Sequence, residues 1–290
     1  MGIFDALEGQ TEREDWKVIR RPPFGYPGNK RLSLKHILPL LPYRDGYIEP
    51  FGGSASVLLA RRPSPFEIYN DRYSGVTAFY RCLANDKLFE QLIDRLNWTV
   101  YSREEFVYCM ETWENAQDTV ERAARWYYVQ KYSFGGKGKY YGRAMNKTGK
   151  LSGRIHRSIP DFFPIHERFK TVAVENRNWL EILKDYDNKN HVFYLDPPYV
   201  DAYRGTYKHE MSIDEHRQML EVIFDMDAFV AVSGYRNSLY DSYSWDGEES
   251  WSTICTIEGK EIEGGKNNRN FNMQRKVSET EEVLWIKESS

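Results

Sequence analysis

Apolar positions along the chain fall into short runs of strand length, separated by stretches whose apolar residues recur at helical spacing. Strands are predicted at residues 46–49, 66–69, 171–174, 191–195 and 228–233, with two more near 252–257 and 282–286. Helical patterns follow the first, second and fourth of these, at 54–61, 76–83 and 213–224. Strands alternating with helices imply an α/β fold built on a doubly wound, mostly parallel seven-stranded sheet. The rhythm breaks between about 85 and 168. Helix-like segments at 87–96, 103–113 and 119–131 occur there, and no strand is evident before 171. A mainly helical domain inserted at 86–168 accounts for the break, with 18–85 and 169–290 forming the sheet domain and 1–17 a polar N-terminal extension.

The run V-F-Y-L at 192–195 ends abruptly in D-P-P-Y at 196–199. Proline cannot continue a ladder, so the strand stops at Asp196 and presents its carboxylate at the strand's carboxyl end. In open α/β sheets that edge is where ligands bind. A carboxylate, a backbone carbonyl fixed by proline and a flat ring suit a planar heterocycle with an exocyclic amino group. Two acceptors meet its N–H bonds and the ring stacks on its face.

Residues 46–57, G-Y-I-E-P-F-G-G-S-A-S-V, read as a strand, a glycine turn and a helix start. Asp71 follows Gly52 by nineteen residues, at the end of the next strand. A carboxylate so placed can accept both hydroxyl hydrogens of a ribose. The G-x-G-x-x-G fingerprint of dinucleotide sites is absent, so the nucleoside could belong to NAD or to S-adenosylmethionine. Upstream, F-G-Y-P-G-N-K at 24–30 is a second turn, followed by an amphipathic helix from about Arg31.

Composition narrows the setting. Three well-separated cysteines, with no C-x-x-C pair, argue against a disulfide framework or a cysteine-rich zinc site. Six histidines without ligand spacing suggest no metal. No run reaches membrane-spanning length and no signal peptide is evident, so a cytoplasmic protein is expected. The net charge of −3 does not favour a nucleic-acid partner, but the distribution of charge does. Residues 131–157 hold five lysines, three arginines and no acid, interleaved with Tyr132, Phe134, Tyr140, Tyr141 and six glycines. Cations for phosphates, rings for stacking and glycines for close approach belong together in a nucleic-acid surface.

In this order, F-G-Y-P-G-N-K, Y-I-E-P-F-G-G-S-A-S-V, E-I-Y-N-D and Y-L-D-P-P-Y resemble the DNA adenine methylase (Dam) family of S-adenosylmethionine-dependent methyltransferases. Y-x-H-E-M at 207–211 and E-V-L-W-I at 282–286 extend the resemblance to most of the chain from Pro23 to Ile286. The likeness implies a Rossmann-like catalytic domain in which Tyr26, Lys30, Asp71 and Asp196 contact S-adenosylmethionine or shape its pocket. Glu49, Phe51 and Gly52 join them as candidate cofactor residues. It also implies that Asp196, Pro197, Pro198 and Tyr199 receive an adenine flipped out of double-stranded DNA. The insertion sits where the family reads its target. Lys137, Lys139, Arg143, Lys147, Lys150, Arg154 and Arg157 are its candidate DNA contacts.

The chemistry expected of such a site is positional. An adenine amino group is a poor nucleophile because its lone pair is delocalised into the ring. Acceptors at Asp196 and the Pro197 carbonyl would localise that pair, and Tyr199 would stack on the extruded base. Amino methylation of cytosine in DNA follows the same logic, as does a methyltransferase acting on RNA or on protein glutamine. A non-catalytic DNA-binding regulator is the alternative from another class, and would have no chemical reason to keep Lys30, Asp71, Asp196 and Tyr199. A Gly/Asn/Lys/Arg segment at 264–269 is expected to be either a mobile loop near DNA or a solvated hairpin tip.

Overall fold

A computed structural model describes residues 18, 19, 21–26, 28–133, 138, 140–142, 152–200, 210–257 and 276–289. Its centre is a seven-stranded sheet of order β3-β2-β1-β4-β5-β7-β6, built from β1 (Gly46–Glu49), β2 (Phe66–Asn70), β3 (Val172–Glu175), β4 (His191–Leu195), β5 (Phe229–Tyr235), β6 (Gly247–Ile257) and β7 (Lys276–Lys287). The first five are parallel, and β7 runs antiparallel to both β5 and β6. The chain winds outwards from β1 to β3, then restarts beside β1 at β4. The strand order therefore reverses between β1 and β4, and a crevice opens at their carboxyl ends.

The apolar runs behave as expected of strands buried on both faces. On one face lie Tyr47, Tyr69, Val192, Tyr194, Phe229, Ala231 and Leu284; on the other lie Ile48, Ile68, Phe193, Leu195, Val230, Val232, Val283 and Trp285. The second face is covered by α9 (Trp179–Tyr186) and α10 (Ile213–Asp225) in mainly apolar contact, with His216 of α10 buried against the Tyr240 hydroxyl. The first is covered by α1 (Leu34–Ile37), α2 (Ser56–Ala60), α3 (Ser74–Leu83) and the helices that follow α3. By strand alternation this face also carries Glu49, Asp196, Ser233 and Glu282 at or near the carboxyl edge. The sheet is thus apolar on one side and chemically equipped on the other.

The segment expected as an insertion is helical. It contains α4 (Asp86–Asn97), α5 (Arg103–Thr112), α6 (Thr119–Tyr132), α7 (Arg154–Ser158) and α8 (Phe162–Phe169). Three of these helices begin at side-chain caps: Asn85 on Leu88 N, Ser102 on Glu105 N and Asp118 on Glu121 N. Their apolar faces share one core with the sheet. Tyr127 of α6 stacks on Phe79 of α3 at 4.9 Å, and Trp126 lies where a Cβ on Gly75 would stand.

Two expectations change in detail. The helix after β1 begins at Ser56 rather than Ser54, because Gly53 (φ 49°) and Ala55 (φ 56°) hold the backbone left-handed up to that point. The helix expected from Arg31 is broken into a 3-10 turn at Lys30–Leu32, the short α1 and a 3-10 turn at Leu38–Leu40 that contains Pro39. Among the described residues no helix is long and apolar enough to cross a membrane, and no cluster of His, Cys, Asp and Glu could hold a metal.

Candidate active site

At the crevice, Asp196 emerges from β4 with its side chain about 20 % exposed. Lys30 places its ammonium 2.7 Å from the Asp196 carboxylate and donates to the Gly28 carbonyl at 2.8 Å. Ser233 of β5 donates to Asp196 Oδ1 at 2.9 Å and is itself 3.0 Å from the Tyr194 hydroxyl. Burial pushes the Asp196 carboxyl above the usual carboxylate range, against the opposing pull of Lys30.

Asp71 stands at the other end, just beyond β2. It is buried, and both oxygens are held by backbone: Gly53 N donates at 2.8 Å and Tyr73 N at 2.7 Å. Burial raises its pKa to about 6, and the two amide donors hold it from going higher. Glu49, at the end of β1, is buried with the Tyr47 hydroxyl donating at 2.6 Å; burial raises its pKa to about 8.

One cleft joins these groups. Asp71, Tyr73, Arg177, Phe51 and Trp179 wall one end, while Lys30, Tyr194, Asp196 and Pro198 wall the other; Tyr26, Glu49, Gly52 and Gly53 lie between. A carboxylate at each end, an aromatic pair (Phe51 and Trp179, centroids 6.4 Å apart) and a length of half-apolar wall fit an elongated nucleoside-bearing ligand. All seven predicted cofactor residues line this one cleft.

Gly52 keeps its place in the cleft wall and has a packing role besides, while the expected places of Tyr199, Pro197, Tyr132 and Tyr141 change. Gly52 is required by internal packing: a Cβ there would meet the Tyr69 ring at 2.1 Å, so the glycine admits a tyrosine before any ligand. Tyr199 does not form the cleft wall. It is 8 % exposed, with its hydroxyl on Glu282 at 2.9 Å, Tyr235 against its edge and the Lys30 ammonium 5.1 Å from its ring centre. Lys30 therefore covers one face of the ring. Pro197 is buried, and Pro198 is the proline that lines the cleft. The rings of the basic segment also divide. Tyr132 is buried with its hydroxyl on the Ser152 carbonyl, and Tyr141 stacks on Tyr101, so both serve the fold. Tyr140 is 75 % exposed.

Arg154 and Arg157 lie exposed on α7, whose Ile155 and Ser158 face inwards. Lys137, Lys139, Arg143, Lys147 and Lys150 lie outside the described residues, as do Tyr207, His209, the 264–269 segment and the N-terminal extension. Two residues of the site were not anticipated: Ser233 and Glu282. Glu282 sits on β7 in line with Leu284 and Ile286. An acid on an otherwise apolar strand face is the sequence signal that marks it.

A mostly parallel sheet with a cleft at its switch point and a strand-terminal D-P-P-Y beside it is the architecture of a group-transfer enzyme. The chain belongs to the D12 class of N6 adenine-specific DNA methyltransferases, whose sequence pattern it matches over residues 26–256. Among curated proteins it is similar to the type II methyltransferase M.CviBI of Paramecium bursaria Chlorella virus NC1A. The two are 26 % identical over 195 residues, covering 62 % of this chain and 69 % of that one. The reaction is therefore adenine methylation in DNA, and it requires a methyl donor.

Proposed function

We propose that the cleft binds S-adenosylmethionine, with the nucleoside at Asp71 and the reacting end at Asp196, and that the target is an adenine flipped from double-stranded DNA. When bound, this cofactor supplies an electrophilic methyl group on a sulfonium. The observation that carries the reading is the single cleft lined by both Asp71 and Asp196. Asp71 accepts the ribose hydroxyls, since its two backbone donors leave lone pairs on both oxygens. Phe51, Gly52, Tyr26 and Glu49 shape the wall between.

At the acceptor end, Lys30 and Ser233 fix the Asp196 carboxylate so that its remaining lone pairs point to one place. There Asp196 accepts one N–H of the adenine amino group and the Pro197 carbonyl accepts the other, which localises the nitrogen lone pair. Pro198 supports the base. Tyr199, with Lys30 over one face of its ring, is the aromatic that stacks on the base. Flipping costs a few kcal/mol, so these contacts must recover it. Arg154 and Arg157, with Lys137, Lys139, Arg143, Lys147 and Lys150, hold the phosphates, and the 86–168 insertion reads the site. A cytoplasmic enzyme of a restriction-modification pair, or one protecting viral DNA, fits the kinship with a type II methyltransferase.

The test is product analysis. Duplex DNA incubated with methyl-labelled S-adenosylmethionine and digested to nucleosides should carry label in N6-methyladenine alone. Label only in cytosine would overturn the base assignment, and transfer independent of this donor would overturn the cofactor.

A further inference from the structure

Glu282 takes no part in the contacts proposed above, yet it is buried at the acceptor end of the cleft. Its Oε1 accepts the Tyr199 hydroxyl at 2.9 Å, and its Oε2 accepts the Ser33 hydroxyl at 2.9 Å and the Trp251 indole N–H at 3.1 Å. Lys30 Nζ lies 3.5 Å from Oε1. Three donors and an ammonium around two oxygens suit an ionised carboxylate. Burying that charge is costly, and an apolar residue in line with Leu284 and Ile286 would complete the sheet without it. The sheet alone gives no reason for an acid here.

The charges supply one. Lys30 carries a single positive charge between two carboxylates, Asp196 at 2.7 Å and Glu282 at 3.5 Å, so the three groups sum to one negative charge. The other charged groups facing the cleft are Glu49, Asp71, Arg72, Arg177, Glu210 and Glu215. Arg177 is committed to Glu181 at 3.0 Å and Asp185 at 2.6 Å, and Arg72 acts on Glu215. Glu49, raised to about 8, is mostly neutral at pH 7. Among the described residues, no cation of the wall besides Lys30 is paired with the two acceptor-end carboxylates.

We propose that Glu282 is a positioning residue that leaves the Lys30–Asp196 pair one negative charge in excess, so that the cleft prefers a cationic methyl donor over its neutral demethylated product. This rests on the cleft being the S-adenosylmethionine site. The preference serves turnover: the sulfonium form is held and the spent thioether is released.

The test compares dissociation constants for S-adenosylmethionine and S-adenosylhomocysteine, by calorimetry, in the wild type and in Glu282→Gln, Glu282→Met and Glu282→Asp. Either neutral variant serves, so a folding defect in one, seen as loss of a cooperative thermal transition, leaves the measurement standing. Loss of one unit charge at a partly buried site should lower the donor-over-product preference on the order of ten-fold, through weaker donor binding. Glu282→Asp should retain it. Equal weakening of both ligands, as a purely structural role would give, overturns the proposal, and so does an unchanged ratio. A wild type that binds neither ligand overturns instead the reading of the cleft, and the proposal falls with it.

Discussion

The two carboxylates at the ends of the cleft are built by opposite means. Asp71 is held by backbone amides, of Tyr73 two residues on and of Gly53 eighteen residues back in the turn after β1. Asp196 is held by side chains of Lys30 and Ser233, brought from a turn 166 residues upstream and a strand 37 residues downstream. A backbone cradle binds and does not change with ligand charge. A side-chain cradle can be tuned and can move. In the proposed reading the Asp71 end is the rigid half, and the Asp196 end is the half whose charge can be tuned.

The sharpest way to break this contrast is Asp196→Ala. Methyl transfer should fall by about 10³-fold or more, with DNA affinity within a few-fold, because the side chain acts on the reacting amine. Lys30→Met should come next. It leaves Asp196 and Glu282 facing each other without a cation, and should cost about 3 kcal/mol in denaturant unfolding along with roughly 100-fold in transfer.

At the rigid end, Asp71→Asn should weaken S-adenosylmethionine about 10- to 100-fold, while the single-turnover rate at saturating cofactor stays within a few-fold. Wild-type affinity should show the same loss with pH. The Asp71 carboxylate exists above about 6 and is protonated as pH falls through that value, so the dissociation constant should rise below pH 6. Stability moves the other way: a carboxyl raised by folding makes the apo fold bind more protons, so its contribution improves as pH falls from about 6 towards 3.8.

Smaller effects refine the picture. Replacing Arg154 and Arg157 with alanine should reduce the salt slope of DNA binding by about one for each phosphate no longer neutralised. An unchanged slope would show that α7 faces away from DNA. Glu49→Gln should alter cofactor affinity less than about three-fold at pH 7, since the wild-type group is largely protonated and glutamine reproduces its hydrogen bonds.

The same division explains what could be read from the sequence. Strands β1 and β4 lie where their apolar runs place them, and D-P-P-Y ends its strand as proline chemistry requires. Asp71 was legible because its cradle is local. Glu282 left only a local signal, an acid in line with Leu284 and Ile286; its partners Ser33, Tyr199 and Trp251 converge through the β6–β7 pairing, the end of β4 and the turn after Lys30. Short helices also escaped. Trp179–Tyr186 carries apolar residues at 179, 182, 183 and 186, a pattern that an eight-residue segment between two short strands shows only faintly. Aromatics misled in the basic segment: Tyr132 has the composition of a stacking surface and the position of a core residue. Tyr199 is marked by its motif, but the cation over its ring, Lys30, comes from far away in sequence.

The most direct test of the two-ended cleft is one paired experiment on Asp196→Asn and Asp71→Asn, measuring cofactor dissociation constants and single-turnover transfer to duplex DNA. A crossed pattern is expected: Asp196→Asn loses the rate and keeps the cofactor, whereas Asp71→Asn loses the cofactor and keeps the rate. Two variants that lose both properties in equal measure would contradict it.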